Sequence, residues 1–82
     1  MAKSKKELSK DEIQFIKNVG YKVQFYRKQR DMSQFELAEK SELSYTTISH
    51  LESTQVYGIS LISLYRLAKA LEVSPDMLLK FD

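Results

Sequence analysis

Cysteine is absent from this 82-residue chain, which excludes a disulfide scaffold and zinc folds built on thiolates. No apolar run exceeds Met77-Leu78-Leu79, far short of the ~20 residues a membrane-spanning helix needs. The basic N-terminus has no apolar stretch behind it, so it does not read as a secretory signal. A cytoplasmic location without membrane contact is the expectation. One proline and two glycines are too few turn residues for an all-β domain, and no alternating β-branched run is present. The single histidine has no cysteine or clustered carboxylate near it in sequence, so no metal is expected. No nucleophile–base pairing and no glycine-rich phosphate loop are legible, so no enzyme, no cofactor and no small-molecule ligand are expected.

What is present is 43% apolar and 29% charged residues, the balance of an ordinary globular domain. The net charge of +2 conceals a division. Residues 1–30 hold nine basic and three acidic residues, a net of +6; residues 31–82 hold four and eight, a net of −4. Such asymmetry points to a basic tail or a nucleic-acid contact without choosing between them.

Helical spacing runs through the chain in short blocks. Residues 1–10 are polar and read as a basic flexible arm, leaving residues 11–82 as one domain. Ser9 with Glu12 forms a capping box ahead of the stripe Ile13, Ile16, Val19, Val23 and Tyr26, a helix of roughly 18 residues that Gly20 weakens. Ser33 with Glu36 opens a second helix that ends near Ser41, and Ser44 caps a third over Tyr45–Glu52. Ser60 caps a fourth, with Leu61, Leu64, Leu67, Ala68 and Leu71 as its inner stripe. Ser74-Pro75 opens a last turn or two with Met77 and Leu78 inward. The predicted fold class is all-α, a compact domain of five short helices.

The block Ser33–Ser53, SQFELAEKSELSYTTISHLES, carries the functional signal. Two capped helices joined by three or four residues must cross steeply, which makes a helix-turn-helix over residues 34–53. With Ile48 and Leu51 turned inward, Tyr45, Thr46, Ser49 and His50 face outward. None carries a full charge, and each can exchange hydrogen bonds or apolar contact with base edges in a major groove. A plain solvated surface would carry lysine and glutamate there. Tyr45 also has a spacing compatible with a core aromatic. Phe25 and Phe35 fall on outer faces, as chance exposure or as a contact patch.

From Val19 to Leu79 the chain resembles the Cro and phage-repressor (XRE-type) helix-turn-helix family and its lambda-repressor-like fold. The resemblance rests on Val19-Gly20, Arg27, Ser33-Gln34, Leu37-Ala38, Ser44, Thr47-Ile48-Ser49, Leu51-Glu52 and Leu67-Ala68-Lys69-Ala70-Leu71 with Val73-Ser74. It implies that Gln34 holds a phosphate at the start of the second helix. Tyr45, Thr46 and His50 take base-reading positions. Ser44, Thr47 and Ser49 lie beside them, and Ser53 opens a segment, to Gln55, that approaches the DNA backbone. Arg27 and Glu52 take the positions of a structural ion pair, and Leu79 and Phe81 lie at the end through which similar proteins dimerise.

Three departures stand out. Glu42 occupies a turn position that is usually glycine, Ser41 one that is usually apolar, and Thr54–Ile59 lacks the usual lysine and arginine. Phosphate contact then falls to the arm and first helix, with Lys3, Lys5, Lys6, Lys10, Lys22 and Lys28 as candidates. The resemblance implies a sequence-specific regulator of double-stranded DNA, a repressor acting as a homodimer on a pseudo-palindromic operator. A bacterial, phage or mobile-element origin and association with the nucleoid go with it. The alternative is a protein-interaction module, antitoxin-like or an accessory subunit, that keeps the fold and has weak or no DNA binding.

Overall fold

The computed structural model describes residues 7–53 and 58–81. Among these it has four α-helices, α1 (Lys10–Gln29), α2 (Gln34–Ser41), α3 (Tyr45–Glu52) and α4 (Leu61–Leu71), and no strand. The expected fifth helix is a single 3-10 turn over Pro75–Leu78. Its bonds run from the Met77 N–H to the Ser74 carbonyl and from the Leu79 N–H to the Asp76 carbonyl, each three residues back. Four residues are too few to propagate an α-helix, and Ser74 offers its side chain to Asp76 instead of to the backbone.

Each α-helix begins at a serine. Ser9, Ser33, Ser44 and Ser60 accept from the N–H three residues on, and Glu12 and Glu36 complete capping boxes at the first two. With the cap set at Ser9, α1 runs for 20 residues and takes in Lys10, the last residue of the expected arm. Arm residues 1–6 lie outside the described residues, as do Thr54–Tyr57 of the loop before α4.

Helix ends are made without glycine. Asp31, Glu42 and Glu72 adopt left-handed backbone at φ 55°, 61° and 61°. At each, the following N–H reaches back five residues: Met32 to Arg27, Leu43 to Ala38 and Val73 to Ala68, at 3.0–3.1 Å. Three acidic residues thus supply the chain reversals that glycine would supply at lower cost.

The core lies where α1, α2, α3 and α4 converge. Val23, Leu37, Ile48, Leu67, Leu71 and Leu78 are fully buried at its centre. Leu61, expected in the α4 stripe, is 80% exposed: as the first residue of the helix it projects past the end of the packed layer, which starts at Leu64. Ser41 is buried, with its hydroxyl donated to the Ala38 carbonyl at 3.3 Å, so the seam between α2 and α3 holds a satisfied polar group. Gly20 is the crossing point of α1 and α3. A Cβ there would lie 2.1 Å from the Leu51 carbonyl oxygen, so only glycine permits this approach. Among the described residues no helix is long and apolar enough to cross a membrane.

Candidate nucleic-acid interface

α3 is held by a network at its base. Arg27 Nε and Nη2 donate to Glu52 Oε2 and Oε1, each at 2.8 Å, while Nη1 donates to the Met32 carbonyl at 2.7 Å. The Glu52 side chain is 1% exposed and that of Arg27 10%. Gln34 Nε2 adds a bond to Glu52 Oε1 at 3.0 Å, and Gln24 Nε2 approaches the same oxygen at 3.5 Å. A carboxylate this buried needs such partners, because an unpaired buried charge is costly. The bond to Glu52 raises the pKa of Arg27 against the opposing effect of burial. Raising the pH over any working range therefore leaves the guanidinium charged and the pair intact.

That network ties α1 and the start of α2 to the last residue of α3. With Ile48 and Leu51 locked inward, the other side of α3 is aimed at solvent. Tyr45 and Thr46 are exposed, and Ser49 and His50 half-buried beside them. Ser44 and Thr47 have a local engagement: the Ser44 hydroxyl accepts the Thr47 N–H at 3.0 Å and pairs with its hydroxyl at 2.9 Å. Ser53 is exposed, and its hydroxyl donates to the His50 carbonyl at 2.9 Å. Gln34 opens α2, where the first N–H groups have no intrahelical partner, but its own amide nitrogen is turned to Glu52. The outward face is thus Tyr45, Thr46, Ser49 and His50, flanked by the capped starts of α2 and α3.

Three contributions were not legible in the spacing. Gln24 reaches Glu52 only because α1 crosses α3 so closely at Gly20. Arg30 donates to the carbonyls of Leu71 and Glu72 and so caps the C-terminus of α4 from the end of α1. Phe35 stacks on Tyr45 with ring centroids 4.3 Å apart and planes 13° from parallel. That contact resolves the ambiguity over Tyr45, which is 42% exposed and outside the core.

Residues 23–78 match the helix-turn-helix family HTH_3. The chain belongs to the XRE-type helix-turn-helix family. It is a DNA-binding transcriptional regulator, and the family and its structural neighbours are regulators, not enzymes.

The restriction-modification controller protein C.AhdI from Aeromonas hydrophila superposes with a TM-score of 0.72 at 28% identity, over 77% of this chain and 94% of that one. The wild-type restriction-modification controller protein C.Esp1396I gives 0.71 at 31% identity, over 78% and 82%. A hypothetical transcription factor from Neisseria, NHTF, gives 0.77 at 30% identity, over 93% and 85%. The sequence matches no protein of curated function at a significant level.

Proposed function

We propose that this XRE-type domain binds a pseudo-palindromic operator as a two-fold dimer and represses the gene it covers. The observation that carries the reading is the neutral outward face of α3, Tyr45, Thr46, Ser49 and His50, set on a base that Arg27, Gln34 and Glu52 hold rigid. A face with no full charge adds little non-specific attraction, so it serves discrimination between base edges. Gln34, Ser44, Thr47 and Ser53 border it and take backbone contacts, Gln34 and Ser44 through the helix starts on which they stand. Controller proteins of restriction–modification systems are among the structural neighbours, and control of such a gene pair is the setting they support.

Affinity then rests on α1 and the arm. Around α1, Lys17 and Lys28 fall within about 40° of Gln24, on the flank next to α3. Lys22 falls roughly opposite, its Nζ 6.0 Å from the Tyr26 ring centre, and so does not count among the phosphate contacts. Lys3, Lys5 and Lys6 lie outside the described residues.

For the dimer, Leu79 is 40% exposed and borders an apolar groove of about 420 Å³ with Phe15, Ile59, Leu61 and Leu64. Phe81 is partly satisfied within its own chain, edge-on to Phe15 at 5.6 Å. Leu61, Phe15 and Leu79 are therefore the proposed dimer contacts, with Phe81 supporting Phe15 from behind. Two such faces joined about a two-fold axis would read half-sites about 34–36 Å apart. Selection from random duplexes is the test: an enriched palindrome supports the reading, and the absence of any motif overturns it.

A further inference from the structure

The Phe35–Tyr45 stack is an unusual use of a large apolar side chain. Phe35 remains 68% exposed even with Tyr45 against it, although α2 buries Leu37 and Ala38 immediately afterwards. Each ring hangs on the second or first residue of a helix, and both helix starts are pinned by serine caps, at Ser33 and Ser44. The pair is therefore ordered before any ligand arrives. Phe35 follows Gln34 and Tyr45 precedes Thr46, so the pair joins the starts of the two helices that form the proposed DNA face.

A preordered aromatic edge at a groove has one apolar feature to recognise. Among the base edges of the major groove, only thymine presents a methyl group; the other features are donors and acceptors. We infer that Phe35 is a specificity-determining positioning residue: by stacking on Tyr45 it holds that ring against the 5-methyl group of a thymine in each half-site. The inference rests on the operator reading above and names a base that the α3 face selects. Stacking on one face of Tyr45 fixes the ring's orientation, and orientation decides whether a methyl meets it. Loss of Phe35 frees the ring to swing, so the methyl loses its partner while the phosphate contacts stay in place.

The test uses the full chain and the operator recovered by selection. Each thymine in the half-site is replaced in turn by deoxyuridine, which removes the methyl and nothing else, and affinity is measured by fluorescence anisotropy. The wild type is expected to lose about two- to tenfold at one position, the range of an aromatic contact. Phe35→Ala should bind the thymine duplex as weakly as the wild type binds the deoxyuridine duplex, and should be insensitive to the exchange. Phe35→Tyr keeps the stack and should restore the sensitivity. His50→Ala should weaken binding and retain the methyl sensitivity. Equal weakening of Phe35→Ala on both duplexes, beyond the wild-type deoxyuridine value, would assign Phe35 to the backbone and overturn the inference, as would full methyl sensitivity in that variant or none in the wild type. These outcomes leave the operator reading standing, whereas failure of the wild type to enrich any motif removes both.

Discussion

Arg27 and Glu52 show how a single pair supports a surface neither belongs to. Arg27→Ala leaves a carboxylate that is 1% exposed with only the amides of Gln34 and Gln24. Breaking a buried pair in this way costs about 3–5 kcal/mol, a large share of the ~5–15 kcal/mol that holds a domain together. Thermal unfolding should show a large drop in Tm, and Arg27→Met with Glu52→Leu should recover part of it because no lone charge remains. Thr46→Ala and His50→Ala should behave oppositely. Each good base contact is worth about 1–3 kcal/mol of discrimination, while surface changes outside the core stay within about 0.5 kcal/mol of stability. Equal losses of stability from all three would contradict the division between support and reading face.

At the scale of elements, the helix starts were legible, as were the ends of α2 and α3, but the acidic residues that reverse the chain after α1 and α4 were not. Serine at an N-cap with glutamate three residues on is a local hydrogen-bond pattern, readable from the letters alone. A left-handed C-terminal residue is usually glycine, and here Asp31, Glu42 and Glu72 hold it. Burial of the flanking core residues keeps them there at a conformational cost of about 1–2 kcal/mol each. Glu42→Gly and Glu72→Gly should therefore each raise stability by about 0.5–1 kcal/mol, since the entropy of glycine offsets part of the relief. Gly20 has the reverse logic. Read along the helix it is a weak point; across the α1–α3 contact its missing Cβ is what lets Leu51 and Gln24 approach. Gly20→Ala regains about 1 kcal/mol of helix propensity but forces the backbones apart, at about 1–3 kcal/mol or more. A net fall in Tm on calorimetry is the expected outcome.

For the whole molecule, the opposed halves of the charge map acquire a geometry. α3 and its neutral face stand in the acidic part, while the helical spacing of α1 sets Lys17 and Lys28 on the side of Gln24, which reaches Glu52, and Lys22 roughly opposite. Lys17→Ala with Lys28→Ala should weaken binding to every duplex alike and lower the salt slope by about one for each lysine replaced. Lys22→Ala should do neither. Removal of residues 1–8, which keeps the Ser9 cap, should likewise reduce affinity without altering the selected motif; an altered motif would place base readout in the arm.

Local chemistry alone determined that this chain is helical, where each α-helix starts, and that two short capped helices, Gln34–Ser41 and Tyr45–Glu52, follow one another closely. Capping hydrogen bonds and 3.6-residue periodicity act over a few neighbouring residues and need no partner element. Only the tertiary structure decided that Gln24 reaches Glu52, that Arg30 caps α4, that Leu61 stands clear of the core, and that Phe35 meets Tyr45. Each of those depends on how separate elements pack against one another, as α1 does on α3 at Gly20 and α2 on α3 at the aromatic stack.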